Sequence, residues 1–219
     1  MIEIIKNAFV KGLRKRYDNI FEQYYPAHNS TGFTERNLTC HFAEALVIDL
    51  NDKAAFIWYE APLPRPEKGK CPHIDAVVFS KTRNAVFFIE AKRLGDKPKG
   101  KIKAVAKDLK RLYSNEKVID FKKENEFNNR DFILQKWHSK DITQSNQKVQ
   151  QYVICIMDFW KNKSFSFGKV EELLIEMNKS FSPLVNEDFT EKIISFNIDP
   201  PLSEYSIFLT AFKIEDTTI

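Results

Sequence analysis

Glycine is scarce in this chain, six residues in 219, and none of the six forms the Gly-rich loop that cradles phosphates in P-loop or dinucleotide-binding enzymes. No Gly-x-Ser-x-Gly elbow is present, so nothing supports a serine hydrolase of that kind. The three cysteines, Cys40, Cys71 and Cys155, cannot all pair and show no Cys-x-x-Cys spacing. No disulfide framework is therefore expected, a reducing compartment is, and a zinc site drawn from Cys40, His41, Cys71 and His73 has little support. No apolar run reaches eighteen residues, and the apolar positions near the N-terminus are interrupted by Lys6, Lys11 and Arg14. Neither a membrane span nor a signal peptide is expected, and the chain reads as a soluble, cytoplasmic protein with no membrane partner. At 43% hydrophobic and 29% charged residues, its length suits one domain, 1–219, with a full core.

Against these absences stand two short apolar runs. His73-Ile-Asp-Ala-Val-Val-Phe79 and Ala85-Val-Phe-Phe-Ile-Glu-Ala-Lys92 flank the polar turn Ser80 to Asn84. Both are rich in Val, Ile and Phe, short, and bounded by turn residues, which predicts buried strands joined as a hairpin. A two-residue loop at Thr82-Arg83 or a four-residue loop from Lys81 to Asn84 gives one register. In it Asp75 faces Glu90, with Cβ atoms about 4.5–5.5 Å apart, His73 faces Lys92, and Lys92 shares the face of Glu90. Two carboxylates that close repel by roughly 3 kcal/mol at an effective dielectric of about 20. Lys92 offsets part of that cost and a divalent cation would offset far more, since Mg²⁺ is commonly held by one or two carboxylates plus waters and phosphate oxygens.

Asp75 on one strand and Glu90-Ala91-Lys92 on the next resemble the PD-(D/E)xK nuclease superfamily, although Ile74 stands where that motif has proline. The resemblance spans about residues 34–158. It implies an α/β fold with a restriction-endonuclease-like core, a central mixed sheet of four to five strands flanked by helices. It further implies Asp75 and Glu90 as metal ligands joined by the backbone oxygen of Ala91, Lys92 as the cation that orients the attacking water, and Mg²⁺, with Mn²⁺ able to substitute, as cofactor. A further acid from a helix ahead of the hairpin would be Glu35; Glu44, nine residues later, faces the other way. The activity implied is phosphodiester hydrolysis, in DNA before RNA, in restriction, defence or mobile-element biology. A nucleic-acid-binding or assembly module that keeps the fold without catalysis is the alternative, and a homodimer is left open.

The surrounding pattern is consistent with a phosphate-rich partner. Between Lys92 and Lys123 there are twelve basic residues against four acids, whereas from Pro183 onward seven acids face two lysines. A basic stripe is the electrostatic footprint of a phosphate backbone. Periodicity predicts a helix over 98–113 with Ile102, Val105, Ala106, Leu109 and Leu112 inward and Lys99, Lys103, Lys107 and Lys110 outward, the last four being the expected nucleic-acid contacts. Helices are also predicted over 2–25, over 170–179, and from Thr34, a good N-cap, to about Leu50. The Leu38, Phe42, Ala45, Leu46 stripe of the last of these carries Glu35 inward. Strands are predicted over 54–61, with Glu60 at its end a further candidate ligand, and over 152–158 and 205–214. The amide-rich stretch 114–150 reads as an insertion, either touching bases or, the preferred reading, merely solvated.

Overall fold

The computed structural model describes residues 1–24, 34–65, 67–94, 98–113, 118–120, 125–138, 148–161, 189–197 and 204–218, with Glu172 and Ile175 besides. The N-terminal helix runs as α1 (Ile2–Asn7), a π-helical segment (Ala8–Leu13) and α2 (Arg14–Tyr24). Its buried residues Ile5, Phe9, Leu13 and Tyr17 are spaced by four. A four-residue step overshoots the 3.6-residue α turn, and a wider π segment keeps such a stripe on one face. Gly12 lies within that segment, where an added Cβ would come 2.9 Å from the Cβ of Ala45, so glycine is what permits the close approach to the helix that carries Ala45. Helix α3 (Glu35–Leu50) begins as expected, the Thr34 hydroxyl accepting the Asn37 N–H at 3.2 Å, and buries Leu38, Phe42, Ala45, Leu46 and Leu50.

Strands β1 (Phe56–Pro62), β2 (His73–Ser80) and β3 (Ala85–Arg93) follow. Then come α4 (Pro98–Tyr113), a small hairpin of β4 (Val118–Asp120) and β5 (Asn125–Phe127), and α5 (Asn129–His138). The chain closes with β6 (Lys148–Lys161), β7 (Phe189–Asn197) and β8 (Glu204–Thr218). The main sheet has the order β1-β2-β3-β6-β8-β7, with β3 and β6 parallel and every other neighbour antiparallel. This is an α/β fold with an open mixed sheet flanked by helices. It has six strands rather than four to five. The additional one, β7, is an edge strand whose apolar run is broken by Glu191 and Lys192, which suits an edge and weakens its sequence signal.

Helices α1–α3 cover one face of the sheet, packing on Ala76, Val78, Phe87, Ile89 and Ile154. Helices α4 and α5 cover the other, packing on Val77, Phe79, Val86, Phe88 and Val153. Covered on both faces, β3 is buried without alternation from Ala85 to Ala91, the pattern of a central strand with a parallel neighbour. The stretch 114–150 is not merely solvated, because Phe132, Ile133 and Leu134 of α5 are buried in the α4-side core. The helix expected over 170–179 lies outside the described residues apart from Glu172 and Ile175. Among the described residues no helix is long and apolar enough to cross a membrane.

The β2–β3 register is the expected one, running from Ser80 opposite Ala85 to Ala76 opposite Ile89, and the connection is the four-residue turn Lys81 to Asn84, closed by Asn84 N–H to Lys81 O at 3.1 Å. Asp52 staples that turn to the end of α3. Its Oδ2 accepts the Ser80 hydroxyl at 2.7 Å and the Thr82 N–H at 3.2 Å, and its Oδ1 accepts the Ala54 N–H at 2.9 Å. Hydrogen bonds from Thr82 and Ser80 hold the Asp52 carboxyl down at about 2. A depressed carboxyl stabilises the fold above its unfolded value, near 4, and that contribution fades as pH falls through its folded value. Asp52→Asn is expected to cost about 2 kcal/mol at neutral pH. Urea midpoints at pH 7 and at pH 2.5 should show the gap between wild type and variant closing in acid.

Candidate functional site

Beyond Ala76 and Ile89 the ladder between β2 and β3 stops, and side chains take over from backbone. Asp75 is half-buried, and its Oδ2 accepts the Ala91 N–H at 2.7 Å. Two residues along the same edge of β3, the Arg93 N–H donates to Oε1 of Glu35 at 2.9 Å. Two carboxylates, one from β2 and one from the first turn of α3, thus continue a hydrogen-bond ladder that β2 no longer supplies. In an extended strand a residue's N–H and C=O leave on the same side, so the carbonyl of Ala91 is turned toward Asp75 as well. Strand β1 adds a third acid in line. Tyr59 pairs with Ala76 and Ala61 with Ile74, while Glu60 between them adopts φ +51°, a left-handed backbone that costs a residue with a Cβ about 1–2 kcal/mol.

Glu90 lies on the α4 side of β3, only 2% exposed. Burial, and then Asp75, push its carboxyl well above the ordinary range, against the opposing pull of Lys92 and Arg111. Lys92 Nζ is 3.9 Å from Glu90 Oε2 and 3.6 Å from Asp108 Oδ2. Burial disfavours its ammonium, but Asp75, Glu90, Glu35 and Asp108 outweigh that and raise its pKa. Arg111 Nη2 reaches Glu90 Oε1 at 3.4 Å and Asp108 Oδ1 at 3.3 Å, and Lys101 Nζ stands 3.8 Å from Glu35 Oε1. The site is therefore a cluster of acids with three interleaved cations.

Asp75, Glu90, Lys92 and Glu35, named from the sequence, come together at one end of the sheet. Glu44 does not: it is exposed and binds Arg16 at 2.6 Å. The described outward lysines of the basic helix face solvent as their spacing predicts. Lys103, Lys107 and Lys110 are exposed and lie on the face of α4 away from its buried stripe; the groups of α4 that join the cluster are Lys101 beside Glu35, Asp108 beside Lys92, and Arg111 beside Glu90 and Asp108. The side chain of Lys99 lies outside the described residues. Sequence reasoning missed Lys101, Asp108 and Arg111, whose signal was present: Lys101 and Asp108 are seven apart, two turns on one face, and Arg111 follows Asp108 at i,i+3.

A cleft of about 230 Å³ opens beside this cluster, lined by Glu35, Arg36, Thr39, Tyr59, Glu60, His73 and Asp75. It is smaller than the roughly 300–1,000 Å³ pockets that enclose whole small molecules. In it His73 Nε2 lies 2.7 Å from Glu60 Oε2. Among the described residues no three His, Cys, Asp or Glu side chains are gathered to hold a metal ion, which includes Cys40, His41, Cys71 and His73. What the sheet end can offer a hard cation is two carboxylates, Asp75 and Glu90, and the Ala91 carbonyl, with waters completing the sphere. All are oxygen donors, and the Glu90 carboxylate is one whose burial and like-charged neighbour favour an added positive charge. No protein-family model, curated protein or solved structure matches the chain.

On the opposite face of the same sheet end lies a second buried acid. Asp158 of β6 is fully buried and pairs with Arg93 in the β3–β6 register. Arg93 Nε is 3.6 Å from its Oδ2, and the Tyr205 hydroxyl donates to that oxygen at 2.6 Å. Tyr205 in turn stacks on Tyr17, centroids 5.6 Å apart. Burial raises the Asp158 carboxyl to about 6, despite the Tyr205 hydrogen bond and Arg93. A carboxyl raised on folding destabilises the ionised protein above its folded pKa, and that cost is relieved as pH falls through about 6 toward the unfolded value near 4. Thermal melts of wild type and Asp158→Asn between pH 7.5 and pH 5 should show wild type gaining stability relative to the variant as the pH drops.

Proposed function

We propose that the chain is a divalent-cation-dependent nuclease that hydrolyses phosphodiester bonds in DNA, on a core of the restriction-endonuclease-like type. The observation that carries this reading is the gathering of Asp75, Glu90, Lys92 and Glu35 where β2 parts from β3, with Ala91 held between Asp75 and the strand. Mg²⁺, or Mn²⁺ in its place, would be held by Asp75, Glu90 and the Ala91 carbonyl. When bound, such a cation neutralises charge on a phosphate and lowers the pKa of a coordinated water.

The remaining roles belong to the chain's own side chains. Lys92, kept charged by four acids, orients the attacking water and faces the charge that develops on the phosphate, in a partly buried setting where such an interaction is worth more than in water. Glu35 fixes the end of β3 through the Arg93 N–H and holds Lys101 beside its carboxylate. The modest cleft volume suits a length of backbone crossing the sheet end rather than an enclosed small molecule. A second reading, a nucleic-acid-binding module without catalysis, is favoured by one observation: Lys92 and Arg111 already neutralise Glu90 from within the chain.

Cleavage of plasmid, linear and single-stranded DNA with and without Mn²⁺ separates the two readings. Asp75→Asn, Glu90→Gln and Lys92→Ala are each expected to lower the rate by at least about 100-fold, with far-ultraviolet circular dichroism unchanged. Glu90→Gln, which removes a buried charge, should hold or raise the melting temperature. If all three variants cleave like wild type, the assignment of the site is wrong; if the wild-type protein binds DNA without cutting it, the binding-module reading stands.

A further inference from the structure

Arg111 occupies a position that the neutralisation of Glu90 does not explain. Only one of its nitrogens, Nη2, meets the acids, at 3.4 Å from Glu90 and 3.3 Å from Asp108. Charge-assisted N–H···O bonds normally close to about 2.7–2.9 Å, and arginine normally grips a carboxylate with two parallel donors. Here one nitrogen is shared loosely between two carboxylates. Its neighbour Nε is buried with no hydrogen-bond partner among the described residues. The Nε–Nη2 edge is the side of a guanidinium that matches two oxygens of a phosphate, and in Arg111 that edge has an unused donor beside a loosely used one.

The backbone beneath it is fixed. Arg111 lies in the last turn of α4, and its carbonyl, one of the helix-end acceptors without an intrahelical donor, takes the Nδ2–H of buried Asn129 at the start of α5 at 2.9 Å. The side chain as a whole is 30% exposed although Nε itself is buried, so an anion can meet the guanidinium from solvent and reach the Nε edge only as Glu90 lets go. Asp108, one turn back on the same helix, remains as a partner when Glu90 is engaged elsewhere.

We infer that Arg111 is the phosphate-gripping residue of the site, receiving the non-bridging oxygens of the substrate phosphodiester on its Nε–Nη2 edge while Glu90 exchanges it for a cation. This rests on the nuclease reading for the identity of the substrate, but binding can be tested without cleavage. Fluorescence anisotropy of a labelled DNA duplex is measured over a salt series in the absence of divalent cation, using Asp75→Asn as the parent and adding Arg111→Gln or Arg111→Lys. Arg111→Gln is expected to weaken binding at least about 10-fold and to lower the salt slope by about one, the signature of one lost phosphate contact. Arg111→Lys, which keeps the charge and loses the fork, should keep the slope and recover only part of the affinity.

In the otherwise wild-type enzyme Arg111→Gln should lower kcat as well, while Mn²⁺ binding measured by calorimetry is not weakened, since a charge that competes for Glu90 has been removed. Unchanged affinity and salt slope in Arg111→Gln would overturn the inference, leaving Arg111 as a counter-charge for Glu90; a lowered melting temperature that Glu90→Gln restores would likewise count against it. Weakened duplex binding with no cleavage by wild type would uphold Arg111 as a phosphate contact and remove the nuclease reading. Absence of duplex binding by both parent and wild type would overturn both.

Discussion

The hydrogen-bond ladder between β2 and β3 ends at Ala76 and Ile89, and much else in the molecule follows from how that ending is handled. Past it, the edge of β3 still presents N–H groups that need acceptors, because a buried main-chain donor without one is costly. The acceptors are Asp75 and Glu35, two carboxylates at 2.7 and 2.9 Å. Using charged groups for this purpose draws acids to a place where Glu90 is already buried on the same strand. The electrostatic cluster is thus a consequence of where pairing stops; on the other side of β2, Glu60 with its left-handed backbone skips one pairing at the level of Asp75 before the β1–β2 ladder resumes at Ala61.

Such a cluster is unfavourable without compensation. Lys92, Lys101 and Arg111 supply it, from β3 and from one side of α4, yet their separations of 3.3 to 3.9 Å are long for ion pairs. Loose neutralisation of this kind leaves the carboxylates able to exchange partners. A tightly bidentate pair would stabilise the fold more and exchange less. The opposite face of the sheet end makes a contrast: Asp158 is fully buried beside Tyr205 and Arg93, with Tyr17 stacked on Tyr205, and it has a firm 2.6 Å partner in the Tyr205 hydroxyl.

The hairpin was legible because its information is local. Strand period, turn length and the positions of Asp75 and Glu90 lie close together in the chain, and the register read from them is the one observed. Glu35 was legible through helical spacing from Leu38. Lys103, Lys107 and Lys110 of α4 do point outward as their spacing predicts, but the groups of α4 paired within the acid cluster are Lys101, Asp108 and Arg111. Which side of a helix faces a site depends on how the helix is docked, not on its periodicity. Strand β7 and the packing of α5 were not legible, since edge strands carry charge and short helices bury few residues.

The sequence by itself determined the pairing of β2 with β3, the helix from Thr34 onward, the span of α4 and the convergence of Asp75, Glu90 and Lys92, because each rests on contacts between residues close in the chain. Only the tertiary structure decided that the sheet has six strands, that Glu60 and His73 share a cleft with Glu35, and that Lys101, Asp108 and Arg111 of α4 join the charge cluster. Those depend on the docking of β1 and α4 against β3. Docking is set by the summed packing of two cores on either side of one sheet, and no single stretch of sequence carries that sum.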